Sequence, residues 1–351
     1  MSRRDEIPHP TFHERRLQGI IPIINLTGMD LSEIVRFLPH QFSSDPEFAK
    51  GIEKLILLSD IGPTEPTIMP VGSCVTLSPE IIPNWRELAV SDVHCGFTLV
   101  TSEISKDDFN NTGHPEWDKL CETMIDAGKS RYPEPGTLGG GNHFIDAVDV
   151  NGLINFVIHT GSFGKDKEIL RGLTTKPTEF DQAYATIATQ AIENRTAIFR
   201  LLKQLYGASL QMTSDKPHNF IEIDNQGMVT IYKGAQKIAP GEKAIVPASM
   251  GDVMTFISGL EGINNLRCAI NHGTGRVGSR GSAKLSTEDA QNAFDLFTKK
   301  IYVPKQIHPG NICTEMPHAY RKADTFEDSV AGKNLIETYA YGTVIAVIAG
   351  I

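Results

Sequence analysis

Hydrophobic and polar positions change period several times along this chain, and each change predicts an element. Residues 30–58 read as two short helices, with Asp30 and Ser44 as caps. Residues 61–90 are dense in Gly and Pro and predict strands and turns. Leu88 to Val100 is an apolar run that predicts a buried strand interrupted by Asp92–Cys95. Residues 116–128 predict a helix ending near Gly128, and Ile154 to Ile158 a short strand running into His159-Thr160-Gly161-Ser162. The longest helical period covers 179–206, with Asp181 near its start and Gly207 at its stop. Residues 219–233 and 243–258 alternate as antiparallel strands do. Ser286, followed by Glu288 and Asp289, opens a helix over 286–299, and Ala340 to Ile348 predicts a last buried strand. No repeat, low-complexity tract or linker interrupts the pattern. The expectation is a mixed α/β fold: one large domain over 61–351, with residues 1–60 as a helical segment of the same domain.

Composition narrows the class. A chain of 351 residues that is 40% hydrophobic can bury a sizeable core and reads as soluble and globular. Its net charge of -9 argues against wide, nonspecific wrapping of nucleic acid, but leaves room for a local basic groove. Five cysteines with no CxxC pair do not make a disulfide framework; they fit a reducing, cytoplasmic setting. The charged start and the short first apolar run, broken by Pro22, give no leader peptide and no membrane span.

Two glycine-dense loops carry the candidate chemistry. Gly136-Thr137-Leu138-Gly139-Gly140-Gly141-Asn142-His143-Phe144 can bring backbone N–H groups close to an anion. His272-Gly273-Thr274-Gly275-Arg276 offers a histidine that a tetrahedral phosphate can approach, with Arg276 and Arg280 downstream to neutralise its oxygens. The ordinary alternative is a glycine turn whose histidine bonds a backbone carbonyl. Asp92, Cys95, His143, His159 and His218 combine a carboxylate, a thiolate and imidazoles, which suits Mn, Fe, Co, Ni or Zn rather than Mg or Ca. Taken singly, each is more often a buried hydrophobe or a hydrogen-bonded turn residue than a ligand, and His94 beside Cys95 could substitute as a ligand or point away. Lys129, Arg131, Arg276, Arg280, Lys284, Arg321 and Lys322 supply phosphate contacts or a solvated face.

Seven motifs in order give the chain a family resemblance. They are Asp92-Val93-His94-Cys95-Gly96, Gly136 to Phe144, Ile158 to Ser162, Pro217-His218-Asn219-Phe220, Pro247-Ala248-Ser249-Met250-Gly251, His272 to Arg276 with Ser279-Arg280, and Glu315-Met316-Pro317 with Ala319-Tyr320. From about residue 65 onward the chain resembles the RtcB-type RNA ligases. The resemblance implies an RtcB-type catalytic domain that joins 2′,3′-cyclic phosphate or 3′-phosphate RNA ends to 5′-hydroxyl ends, using GTP and two Mn²⁺ ions. It implies His272 as the guanylylated nucleophile. Cys95, His159 and His218 would hold one ion, and Asp92, Cys95 and His143 the other. Asn142, Ser249, Met250, Gly251, Gly273, Gly275 and Arg276 would lie at the nucleotide. The implied partners are RNA, such as tRNA halves, and an archease-like activator, with no membrane. The chain departs from the family pattern at His94 (usually Gly), at Met69–Ser73 (usually a fuller MPD-x-H segment), at Phe163 (usually Arg) and at its end, where Ala349-Gly350 stands for Lys-Gly. These departures keep two other readings open: a metal-dependent phosphodiesterase or cyclic phosphatase on RNA ends, and a noncatalytic RNA-end or nucleotide-binding protein.

Overall fold

A computed structural model describes residues 15–17, 19–129, 134–139, 141–162 and 166–350. Gly140, Arg131 and Phe163, each singled out above, lie outside the described residues, as do residues 1–14. Fifteen strands occur among those described. They are β1 (Arg15–Leu17), β2 (Ile21–Asn25), β3 (Ile52–Gly62), β4 (Val71–Leu77), β5 (Gly96–Ser105), β6 (Phe144–Val150), β7 (Leu153–Thr160), β8 (Gln211–Pro217), β9 (Asn219–Ile223), β10 (Val229–Lys233), β11 (Ala235–Lys237), β12 (Lys243–Pro247), β13 (Val253–Gly259), β14 (Ala269–Asn271) and β15 (Ile336–Ala349). A six-stranded sheet runs β1-β2-β3-β4-β10-β9, a seven-stranded sheet β12-β13-β15-β6-β7-β5-β8, and β11 pairs with β14. The fold is mixed α/β, with large sheets packed by helices.

Most predicted elements are present, with shifted bounds. The expected helices are His114–Gly128, Pro177–Tyr206 and Thr287–Phe297; Ser286 caps the last by accepting from the Asp289 N–H. Residues 30–50 form short helices, but residues 52–58 belong to β3. Within β3 the run Leu55 to Ile61 is buried on both faces of the strand, which suits a central strand better than a helix. The cap before Pro46–Lys50 is Asp45 rather than Ser44, and Asp30 makes no side-chain cap bond. β2 joins the six-stranded sheet through parallel pairing with β3, so the segment before residue 60 supplies strands as well as helices. Residues 85–89 form a 3₁₀ turn, and β5 begins only at Gly96. β7 continues to Thr160, which places His159 inside a strand.

The two sheets meet across a shared apolar layer that includes Ile56, Leu58, Phe220, Tyr232, Val246 and Ile257. The outer face of the seven-stranded sheet is covered by helices. There Phe156 contacts Trp117, Phe109 and Tyr206. The chain crosses from one sheet to the other at His218, between β8 and β9.

The long helix Pro177–Tyr206 buries Ile187, Ala191, Asn194, Arg195, Ile198 and Leu202 along one stripe. Two of these are polar, and neither is idle. Arg195 Nε and Nη2 donate to the two carboxylate oxygens of Asp215 on β8 at 2.6 and 3.0 Å. Its Nη1 donates to the carbonyls of His94 and Thr160 at 2.7 and 3.0 Å. Asn194 Oδ1 accepts from the N–H groups of Gly136 and Thr137, and its Nδ2 donates to the carbonyls of Thr137 and Gly161. Breaking such a buried pair leaves charge and carbonyls unpaired. Arg195→Met is therefore expected to destabilise the fold by about 3 kcal/mol or more. Chemical denaturation checks this; an unchanged midpoint would refute the role.

Candidate active site

The Asp92–Cys95 segment is a tight turn. Asp92 and His94 sit at φ 51° and 55°, in the left-handed region that non-glycine residues seldom adopt. Hydrogen bonds fix the strained turn: the Cys95 N–H reaches the Asp92 carbonyl at 3.0 Å, and the His94 N–H the Asn219 carbonyl at 2.7 Å. The departure from glycine at His94 thus falls on a position that glycine would occupy without strain. The His94 ring faces Tyr184 and Phe220, away from any ligand role seen here, and its Nδ1 is buried without a partner.

The turn delivers Cys95 to the imidazoles. Cys95 Sγ lies 3.3 Å from Nε2 of His143 and 3.3 Å from Nε2 of His159. Cys95, His159 and His218 offer ligand atoms within 4.8 Å of one another. Each ring is oriented from behind. His143 Nδ1 bonds the Leu138 carbonyl at 3.0 Å and His159 Nδ1 the Asn142 carbonyl at 3.1 Å, leaving Nε2 of both as lone-pair donors. His218 Nδ1 is buried with no partner. Burial holds His159 and His218 well below the usual imidazole range, so both are neutral at pH 7. Burial, with Asp92 nearby, pushes the Cys95 thiol up to about 12. An orphaned imidazole nitrogen among neutral nitrogen and sulfur donors fits a transition-metal ion. Asp92, although near Cys95, is not among the three residues whose ligand atoms cluster. Its side chain is 68% exposed and pairs with buried Lys233 at 3.4 Å, which holds its carboxyl below the usual range.

His272 follows β14 and faces the same space, its ring centroid 4.8 Å from that of His218. Its Nδ1 is 2.6 Å from Asp60 Oδ2 and 2.9 Å from the Gly234 carbonyl. A proton on Nδ1 serves both, and Nε2 is then the free lone pair. Asp60 is fully buried at the end of β3. Asn271 Nδ2 holds its other oxygen at 2.9 Å, and Arg321 Nη1 donates to the Ser59 carbonyl at 2.5 Å. Glycine permits this packing. A Cβ at Gly72 would lie 2.6 Å from Asp60 Oδ1, and one at Gly275 would lie 2.7 Å from Asp60 Cα. The Met69–Ser73 segment, reduced against the family pattern, therefore walls the aspartate. Sequence reading missed Asp60, although a carboxylate inside the apolar run Leu55–Ile61 is a visible signal. Asn194 and Arg195, polar residues on an apolar helical stripe, give a signal of the same kind.

A cavity of about 700 Å³ opens in front of His272. Asp92, Asn142, His159, Ser249, Met250, Gly273, Gly275, Arg276 and Arg280 line it. Gly251 stands behind Met250 at φ 77°, where a Cβ would strike Phe297. Arg276 is anchored by Glu315 and the Thr314 carbonyl, and its guanidinium covers the Tyr320 ring. Arg280 shares Glu315 through Nε, and its two Nη atoms lie beside Gly141 of the glycine loop. Arg321 serves the backbone around Asp60, and Lys284 is exposed. All five cysteines are free. No helix among the described residues is long and apolar enough to cross a membrane.

The family model described as tRNA-splicing ligase RtcB matches residues 172–350. RNA-splicing ligase RtcB of Escherichia coli K12 is 28% identical over 263 residues, covering 62% of each chain. The tRNA-splicing ligase RtcB of Aeropyrum pernix is 25% identical over 260 residues, covering 54% of each. RNA-splicing ligase RtcB2 of Escherichia coli ATCC 25922 is 24% identical over 289 residues, covering 68% of this chain and 74% of that protein. The matched region thus spans about 62% of the length of the Escherichia coli K12 relative. With the family model covering half of the chain, and the motif order intact around one cavity, the chain belongs to the RtcB family.

Proposed function

We propose that this chain is a Mn²⁺- and GTP-dependent RNA ligase that joins 2′,3′-cyclic phosphate or 3′-phosphate ends to 5′-hydroxyl ends. One observation carries the reading: a histidine with Nδ1 on a buried aspartate opens onto a cavity shared with a Cys/His cluster. A phosphodiesterase that relies on metal-activated water has no need of such a histidine, whereas a covalent nucleotidyl carrier does. Two relatives named as splicing ligases lend support.

In this reading, Cys95, His159 and His218 would hold one Mn²⁺, and His143 with Asp92 and Cys95 would hold a second. When bound, the ions supply Lewis-acid stabilisation of phosphoryl oxygens. His272 Nε2 attacks the α-phosphorus of GTP, and pyrophosphate leaves. The Nδ1 proton stays on the ring, and the Asp60 carboxylate offsets the positive charge that builds there. Arg280, with the N–H groups of the glycine loop, neutralises the phosphate oxygens. A 2′,3′-cyclic end would first be opened by water to a 3′-phosphate and a 2′-hydroxyl; GMP then passes to the 3′-phosphate, and the 5′-hydroxyl attacks that phosphorus and releases GMP. RNA ends such as tRNA halves are the substrates, an archease-like activator is a partner, and the setting is cytoplasmic.

The metal assignment predicts a pH dependence. The Cys95 thiol, up near 12, must shed its proton to bind, whereas the imidazoles are already neutral. Below that value, log affinity for Mn²⁺ should rise with pH by about one per unit, because about one proton is released. Equilibrium titration across pH 6–8 (on the order of two pH units) checks this, and a flat profile would refute thiolate ligation. Cys95→Ala should lose at least one ion by elemental analysis.

The nucleophile assignment is tested by labelled nucleotide. His272→Ala should keep its metal but form no acid-labile adduct and join no RNA ends. Asp60→Asn should keep the metal and slow adduct formation by about 10²-fold or more, because the imidazolium loses its counter-charge. If wild type forms no adduct with any nucleoside triphosphate yet opens cyclic phosphates as fast as His272→Ala, the enzyme is a phosphodiesterase.

A further inference from the structure

The cavity in front of His272 has a wall that the chemistry above does not use. Met29, Arg36 and Phe37 line it from the segment between β2 and β3. They precede the stretch that resembles the family and lie outside residues 172–350, which the family model matches. The wall is anchored from behind. Ile34 and Phe42 are fully buried in the apolar cluster beside the six-stranded sheet, and Met29 and Phe37 pack against the same cluster. Asn25 Nδ2 donates to the Met29 carbonyl at 2.8 Å, and its Oδ1 accepts from the Thr27 N–H and hydroxyl. Val277, 65% exposed on the His272 loop, lines the same cavity.

Charge distinguishes this wall. Three other arginines of the lining are committed: Arg276 and Arg280 to Glu315, and Arg321 to the carbonyls of Ser59 and Ile61. The Arg36 side chain is exposed and has no ion pair or hydrogen bond among the described residues; its guanidinium lies 4.9 Å from the centroid of the Phe37 ring. An uncommitted cation beside an aromatic ring matches the two parts of an unpaired nucleotide, its phosphate and its base. An apolar occupant would cover Arg36 without supplying a counter-charge. A single nucleic-acid strand supplies one at every residue.

We propose that Arg36 and Phe37 form a subsite for an unpaired RNA nucleotide beside the end being joined. Phe37 stacks the base, and Arg36 pairs with the phosphodiester. This rests on the reading that RNA ends enter the cavity. Ile61, next to the Asp60 that holds His272, lines the cavity and belongs to the apolar cluster that Phe37 packs against. One strand can therefore occupy the subsite while its end meets His272. The residues placed at GTP, Asn142, Ser249 and Met250, come instead from loops of the seven-stranded sheet. That difference in origin assigns the pair to RNA rather than to GTP.

Fluorescence anisotropy of the Mn²⁺-loaded full chain with a single-stranded RNA ending in a 3′-phosphate tests this. Phe37→Leu keeps the apolar packing but loses the ring, and should weaken binding about 10-fold. On the same RNA made abasic at its 3′-terminal nucleotides, wild type should already be weaker by that factor, and Phe37→Leu should lose nothing more. Arg36→Gln should weaken binding and lower the slope of log affinity against log salt by about 0.7, the share of one single-strand phosphate contact. Equal affinity for intact RNA in wild type and both variants would overturn the proposal, as would wild type that does not bind the RNA. So would a Phe37→Leu loss that persists on abasic RNA, since that is a structural effect. Slower adduct formation from GTP with RNA affinity intact would assign the pair to GTP and overturn the proposal too. The ligase reading fails on a different result: if wild type forms no adduct with any nucleotide, it falls, and the RNA titrations still decide the subsite.

Discussion

Arg195 is the residue on which the geometry of the site depends. It is fully buried in the middle of the long helix, and its guanidinium is shared among Asp215 on β8, the carbonyl of His94 and the carbonyl of Thr160. These partners flank three of the four close donors: Cys95 follows His94, His159 precedes Thr160, and His218 follows β8. Arginine suits this task because its rigid planar fork pairs with both oxygens of a carboxylate while leaving further donors for the carbonyls, a geometry a lysine ammonium does not offer. Its neighbour Asn194 binds the glycine loop on one side and Gly161 on the other. One helix therefore sets the spacing of segments more than a hundred residues apart.

The second constraint is close backbone approach around Asp60. The aspartate lies between Gly72, Gly275 and the start of the His272 loop, with Asn271 holding one oxygen and His272 the other. Asn219 extends the network. Its side chain donates to the Asp92 carbonyl and accepts from the Gly234 N–H, while the Gly234 carbonyl faces His272 Nδ1. The turn that presents Cys95 and the imidazole of His272 are thus braced by the same asparagine. A shift at either end would be felt at the other, so the Cys95 turn and the His272 ring are held in a fixed relation.

Charge is distributed to match. The chain is acidic overall, yet the cavity rim carries Arg276 and Arg280 over a single buried carboxylate, Glu315, that fixes them in place. Such a rim gives the cavity a local attraction for anions although the chain as a whole is acidic.

Much of this was legible in the sequence. The long helix, the paired strands over 219–233 and 243–258, the two glycine loops and the ligand-type residues all followed from periodicity and residue chemistry. The seven ordered motifs indicated the family. The β3 strand was misread as helix because a strand buried on both faces lacks the period-two signature. Asp60 escaped notice because its role exists only where the end of β3 meets the loop after β14, about two hundred residues away. The same holds for Arg195 and Asn194, whose partners come from four distant segments. Sequence determined which groups were available and which local turns could present them. Tertiary structure alone decided that Cys95, His143, His159 and His218 converge, that Asp92 turns to Lys233, and that Arg36 and Phe37 line the cavity of His272. Convergence depends on where two sheets cross, and no local pattern encodes that crossing.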